Sequence, residues 1–426
     1  MRKNKFLFFI PGVLFFQMVI SGIIFSQIPN SVQTDSGWKA DEAIVAKLSK
    51  ESNGFNYYEE KVPSYSLPDM LTSNGGSKVE TVSDWNNIRR PEILELFCKN
   101  MFGRVPETPY EKEFNVVSIN KNALLGMATQ KQVEIIIHKN DKSLLIHLTL
   151  LTPNGTLKPV PTFLLIDPWY YQKNSPGWME KIEYWPVNEA IKRGYGMAIF
   201  DATDLDPDSF DNFKNGIHGL LDKNPRPDDA WGTLAAWAWG ASRCMDYLVT
   251  DKDVAAGKVA VVGHSRAGKT ALWAGAEDTR FAMVVSNESG AGGAALARRR
   301  FGETVERLNT VFPHWFCTNF KKYNNKEDLL PFDMHMLLSL IAPRALYIDC
   351  ADEDLWGDPH GSYLSLYYAV QAFNILGVKS DIMKSMPPLN TQVISGRVGF
   401  HIRSGSHNLL LKDWNWFMDF ADLVLK

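Results

Sequence analysis

The chain is short of the residues that usually announce a special chemistry. Its 426 residues include four cysteines, Cys98, Cys244, Cys317 and Cys350. No two of them form a CxxC pair, and their spacing suits no zinc site. An HExxH sequence and any cluster of histidine ligands are also missing, so neither a metal nor another cofactor is expected. There is no basic excess: 45 Lys and Arg against 48 Asp and Glu leave a net charge of −3. Nucleic acid and anionic membrane surfaces are therefore not expected partners. Internal repeats and low-complexity tracts are absent, and no long apolar run follows the first 25 residues. With 45% hydrophobic and 22% charged residues the composition is that of an ordinary globular protein. Such a chain buries a core large enough to need no disulfide framework. The cysteines then read as buried thiols, Cys350 most clearly, since it sits in an apolar strand. Monomer is the default assembly.

The N-terminus carries the first positive signal. Arg2, Lys3 and Lys5 precede an apolar run from Phe6 to Phe25 that Pro11, Gln17 and Ser21 interrupt. A basic start followed by a broken apolar stretch reads as a secretory signal peptide over residues 1–27, cut near Ser26 or Gln27. The alternative is an uncleaved anchor, because the run approaches spanning length. A cleaved leader implies secretion or a periplasmic location, with no stable membrane anchor.

Residues 28–110 are mixed and polar, with a helical pattern from Arg90 to Met101 and Pro91 suited to its first turn. They read as a segment that wraps the main domain, residues 111–426. In that domain β-rich runs fall at Glu113–Ile119, Gln132–His138, Leu144–Leu151, Thr162–Ile166, Gly196–Phe200, Lys258–Gly263, Ala282–Ser286 and Ala345–Cys350. The Thr162–Ile166 run leads into Asp167-Pro168-Trp169-Tyr170-Tyr171. A long helical pattern spans Asp229 to Leu248. Apolar strands alternating with helices argue for a mostly parallel central sheet covered on both faces, a three-layer αβα sandwich, begun by antiparallel strands.

The most informative stretch is Val259–Ala274, VAVVGHSRAGKTALWA. An apolar strand enters Gly263-His264-Ser265-Arg266-Ala267-Gly268, and a helical pattern follows from Lys269. Strand, tight turn with serine at the apex, then helix is the nucleophile elbow of the α/β-hydrolase fold. Small residues two before and two after the serine let strand and helix backbones approach, and here they are Gly263 and Ala267. The backbone N–H of Arg266 lies at the helix N-terminus, suited to an oxyanion. No HGGG-type loop supplies a second donor, a role open to the Arg266 guanidinium. Cations oppose the dipole at this end of a helix, so Arg266 and Lys269 point to function rather than to a solvated first turn.

A serine nucleophile needs a base and an acid. His401 and His407 lie near the C-terminus. His401 sits within the strand-like Val398–Ile402, whereas His407 occupies a loop before a helix from about Leu411, the expected place for the base. Acid candidates follow two strands: Glu288 after Ser286, and Asp354 after Cys350. Both loops lie at carboxyl ends of strands, and the residues alone leave the choice open.

At these residues the chain resembles the glucuronoyl esterases, carbohydrate esterase family 15, and its bacterial branch in particular. The stretches DDAWGTLAAWAWGASRCMDYL, GHSRAGKTALWAGAEDTRFA, SNESGAGGAALARRRFGETVERLN, FPHWFC, LLPFDMHMLLSLIAPRALYIDCADEDLWGDPHGSY and SGSHNLLLKDW carry the likeness, from Asp228 to Trp414. The resemblance implies hydrolysis of esters between 4-O-methyl-glucuronic acid on xylan and lignin alcohols. It implies Ser265 as nucleophile, His407 as base, Glu288 as acid and Arg266 as oxyanion partner. Asp354 matches a second acid beside the histidine in bacterial members. Lys269, Glu303 and Trp356 match positions that contact the glucuronate ring. The run Arg298-Arg299-Arg300 reads as solvated or salt-bridged. Two other readings remain: a deacetylase of xylan using the same triad, and a silent paralogue that only binds carbohydrate.

Overall fold

The computed structural model describes residues 37–51, 54–169 and 183–426. The expected leader, and Tyr170 and Tyr171, lie outside the described residues. The strands are β1 (Glu111–Ala123), β2 (Ala128–Lys139), β3 (Lys142–Pro153), β4 (Val160–Asp167) and β5 (Gly196–Asp201). They continue as β6 (Val254–His264), β7 (Met283–Asn287), β8 (Ala345–Ala351), β9 (Thr391–Ser395) and β10 (Val398–Arg403). All belong to one sheet, ordered β1-β2-β3-β5-β4-β6-β7-β8-β10-β9. The first three pair antiparallel, and β3 joins β5 antiparallel. From β5 through β10 every neighbour is parallel, and β9 closes the edge antiparallel to β10.

The side-chain pattern explains this order. Along β4, Leu164 and Ile166 enter one core while Phe163 and Leu165 enter another. Along β6, Val259 and Val261 face the first core, and Ala260 and Val262 the second. Strands buried on both faces read as continuous apolar runs, as parallel strands do. β1 is instead exposed along nearly its whole length, which only an antiparallel edge tolerates.

The helices that supply apolar side chains to these cores include α1 (Arg90–Phe97), α2 (Thr233–Leu248), α3 (Arg266–Glu277), α4 (Pro359–Ile375) and α5 (Leu411–Val424). The first four contribute to one core and α5 to the other, giving the three layers. Residues before 111 share these cores: Trp85, Ile93, Phe97, Met101 and Phe102 are fully buried in the first. A third, small cluster joins Val45 and Tyr57 to Phe301 and Leu355. Among the described residues no helix is long and apolar enough to cross a membrane.

Three boundaries differ from expectation for physical reasons. The helix expected from Asp229 starts at Thr233, because Ala230 bridges Arg104 and Gly232 abuts the Trp315 backbone, where a Cβ would lie 2.4 Å from a carbonyl oxygen. The pattern over Arg90–Met101 is α-helical only to Phe97 and continues as a π-turn over Cys98–Phe102. The helix expected from Lys269 begins at Arg266, so both cations lie in its first turn. β9, short and half-buried, was not marked by the sequence pattern.

Candidate active site

The elbow forms where its small residues require it. Ser265 has φ +56° and ψ −121°, strained for a residue with a Cβ. Its N–H donates to Asn287 O at 2.9 Å, and its carbonyl accepts from Gly268 and Lys269. A Cβ on Gly263 would lie 1.9 Å from Ala267 O, so strand and helix meet only because that position is glycine. The Arg266 and Ala267 N–H groups open α3 and have no intrahelical acceptor, which leaves them for an anion beside Ser265.

β7 and β8 deliver the acids. Glu288, just past β7, takes φ +45°, a left-handed conformation uncommon outside glycine and asparagine. Asp354 follows β8. Both reach His407: its Nδ1 lies 2.8 Å from Asp354 Oδ2 and 3.0 Å from Glu288 Oε2. The two acid candidates are thus not alternatives in space. Their surroundings differ, since the Glu288 side chain is 0% exposed and that of Asp354 11%. Glu288 also accepts from the Asn408 N–H and from Arg403. Burial pushes the Glu288 carboxyl up against the pull of His407 and Arg403. For His407, burial lowers the pKa, but the two carboxylates outweigh it and hold the imidazole above its ordinary range. With Nδ1 facing the acids, Nε2 is the nitrogen left to serve a serine hydroxyl. His401 has a different partner: buried in β10, it bonds Asp413 at 3.0 Å and Tyr347 at 3.0 Å, the role of a satisfied structural histidine.

The two cations in the first turn of α3 each face a carboxylate. Arg266 is ion-paired with Asp208. Its guanidinium carbon lies 4.9 Å from the Trp315 ring centre, 5.4 Å from Phe312 and 5.9 Å from Trp169. Asp208 also faces His314 Nε2 at 3.0 Å and accepts from Trp315 Nε1 at 2.8 Å. Burial raises its carboxyl, but these partners outweigh burial and bring it down to about 2. Lys269 is buried rather than solvated: Nζ donates to Ser289 O at 2.6 Å and stands 3.8 Å from Glu303 Oε2. Glu303 lies on a loop, and its N–H donates to Trp356 O at 3.0 Å. Phe55 meets the Trp356 ring edge-on at 4.8 Å. The arginine run is salt-bridged, one of the two readings expected of it: Arg298 is buried on Asp333, Arg299 on Asp358 and Glu59, and the more exposed Arg300 pairs with Glu327 and Asp328. The four cysteines are free thiols.

Sequence reasoning missed Asp208, His264, Asn287 and Arg403. Asp208 follows β5, and its place at the carboxyl end of a strand was an available signal. His264 packs on His407 with ring centres 4.6 Å apart and shares a 2.5 Å hydrogen bond with Asn287. Burial and the His407 charge bring its pKa down to about 3, so it is neutral. Among the described residues, His264, Glu288 and His407 have ligand atoms within 4.8 Å of one another, a spacing a metal ion can use. Two of these three, Glu288 and His407, are already paired with each other.

Known proteins resemble this chain in sequence and in fold. The family described as "Glucuronyl esterase, fungi" matches residues 135–377. The carbohydrate esterase MZ0003, from an unknown prokaryotic organism, is 41% identical over 421 residues, covering 92% of this chain and 96% of that protein. A 4-O-methyl-glucuronoyl methylesterase of Phanerochaete carnosa is 30% identical over 325 residues, covering 74% of this chain and 73% of the fungal one. The solved structure of a glucuronoyl esterase from Solibacter usitatus superposes with a TM-score of 0.81 at 38% identity, covering 86% of this chain and all of the other.

Proposed function

The chain belongs to the glucuronoyl esterase family, and from that premise we propose that it is a serine esterase acting on esters of 4-O-methyl-glucuronic acid borne by xylan, with lignin alcohols as leaving groups. The observation that carries the chemistry is His407 Nδ1 held by two carboxylates while its ring packs on His264, the residue before the strained Ser265. Ser265 Oγ attacks the ester carbonyl while His407 Nε2 takes its proton. Glu288 and Asp354 stabilise the imidazolium. The oxyanion falls to the Arg266 N–H and guanidinium. His407 then protonates the departing alcohol, leaving an acyl-enzyme. A water molecule, deprotonated by the same histidine, releases Ser265 and the uronate. The product carboxylate meets Arg266.

The carbonyl in such an ester hangs from C5 of the sugar, so a sugar pocket must adjoin Ser265. Lys269 and Glu303 present a buried ammonium and carboxylate for ring hydroxyls, and Trp356 a flat face. The basic, then apolar, N-terminus supports export to the periplasm or beyond. The test is hydrolysis of benzyl glucuronate by the purified protein beside acetylated xylan, with Ser265→Ala as control. Cleavage of the glucuronate, lost by on the order of 10⁴-fold or more in the variant, is the expected result. Cleavage of acetate alone would make the protein a deacetylase and leave Lys269, Glu303 and Trp356 without their roles.

A further inference from the structure

Beside the acid and base lies a buried cation that takes no part in the proton transfers of ester hydrolysis. The side chain of Arg403, the last residue of β10, is 1% exposed. Its Nη2 donates to Glu288 Oε1 at 2.5 Å and to Asn408 O at 2.8 Å. Its Nη1 donates to Ser404 O at 3.2 Å and Ser406 O at 3.1 Å. Its Nε donates to both Asp413 oxygens at 3.0 Å. The three carbonyls lie on either side of His407 along the chain.

We propose that Arg403 is a positioning residue of the triad, fixing the loop that carries His407 while keeping the charge on Glu288 that His407 requires. The inference rests on the serine-esterase reading of the site. Glu288 and Asp413 are both 0% exposed, and Arg403 is the cation between them. Without it two carboxylates would face each other out of water, a costly arrangement relieved by protonation. The other charged or titratable groups around the pair are His264 at the end of β6, Asp349 in β8, Asp354 after β8 and His401 in β10. Asp349 adds no dependable negative charge: burial, Asp413 and Glu288 push its carboxyl well up.

The signature comes from charge. To become active, the Glu288–His407 pair must lose one proton and reach the form with neutral imidazole and ionised carboxylate. A nearby positive charge favours that loss. Arg403→Met should therefore move the acid limb of kcat/KM to higher pH, by about one unit or more, and lower kcat at least about tenfold. Glu288→Gln removes a carboxylate that raises His407, so its limb should move the opposite way. Arg403→Lys keeps charge but loses the forked geometry, so kcat should fall with the limb nearly in place.

The measurement is the pH profile of these three variants on benzyl glucuronate and on 4-nitrophenyl acetate, with NMR titration of the His407 imidazole alongside. Opposite limb shifts in Arg403→Met and Glu288→Gln would support the proposal, as would a fall in kcat for Arg403→Lys with its limb in place. An unmoved limb in Arg403→Met, or an undiminished kcat in Arg403→Lys, would overturn it. Should Arg403→Met fail to fold, a limb in Arg403→Lys displaced as far as that of Glu288→Gln would overturn it, and an undisplaced limb would support it. If glucuronate is not a substrate, the acetate profile still decides the role of Arg403. If no ester is cleaved, the imidazole titration does.

Discussion

Around His407 the charges are ones that water scarcely reaches: Glu288, Arg403 and Asp413 expose 0, 1 and 0% of their side chains. In the other half of the site Arg266 and Asp208 expose 26 and 17%, and aromatic rings do much of the holding. Both halves pair an arginine with a carboxylate, yet a lost partner is felt differently in each. A charge stranded in the dry half costs about 3–5 kcal/mol, whereas an exposed pair contributes about 1 kcal/mol or less. The oxyanion half falls between these limits. In the proposed mechanism it is also the half that receives the substrate carbonyl, which gives its openness a use.

The largest effect expected from this contrast separates the two acids. Glu288→Gln should lower kcat by about 10²–10³-fold, less than the roughly 10⁴-fold loss of a lone triad acid, because Asp354 still holds Nδ1. Asp354→Asn should lower it about tenfold, since Glu288 and its buried clamp remain. Asp354 raises the His407 pKa, so its removal should also bring the acid limb of kcat/KM to lower pH. Steady-state kinetics from pH 5 to 10 would check both. If Asp354→Asn is the more damaging change, the drier half is not the dominant one.

A smaller effect belongs to the open half. Asp208→Asn keeps the shape beside Arg266 and removes the charge. Arg266 stays within its aromatic enclosure, so kcat should fall about tenfold with KM little changed, less than the 10²–10³-fold that accompanies loss of an oxyanion donor itself. A loss as great as that of Glu288→Gln would mean that the ion pair, rather than the rings, positions Arg266.

What could be read in the sequence divides along a related line. The elbow was legible because strand, small residues, serine and helix are contiguous, and steric need fixes their spacing. The sheet was legible because burial on two faces writes long apolar runs. His407 stood out by its loop position and His401 by its strand. The residues that wire the site were not legible. Arg403 lies 115 positions from Glu288, and Asp208 lies 58 from Arg266. Their partners are chosen by folding alone, and a lone arginine or aspartate has no pattern. The two acids were left open for the same reason: the sequence places each at a strand end, and only the fold reveals that both touch one nitrogen.

The smallest effect tests how far the cleft extends into the N-terminal segment. Glu59 accepts from Arg299 Nη2 at 2.6 Å and lies 3.2 Å from His360 Nδ1. Asn56 O accepts from Gly302 N at 2.8 Å, and Phe55 abuts Trp356. These contacts brace the loop of Glu303 and Trp356 from outside. Burial raises the Glu59 carboxyl, but His360 and Arg299 outweigh it and bring it down to about 2 from an ordinary 4.5. A carboxylate lowered on folding stabilises above its unfolded pKa, and the gain disappears as pH falls through the folded value. Glu59 is about half exposed, so screening keeps the gain to about 0.5–1 kcal/mol. Glu59→Gln should therefore lower Tm by about 1–2 °C at pH 6, with the gap to the wild type narrowing between pH 4.5 and 2. KM for benzyl glucuronate should rise about twofold while kcat holds, because in the proposed mechanism the change loosens the wall of the sugar pocket and leaves the acid–base pair untouched. A fall in kcat with constant KM would place the brace on the chemistry instead, and would join this outer segment to the buried half of the site.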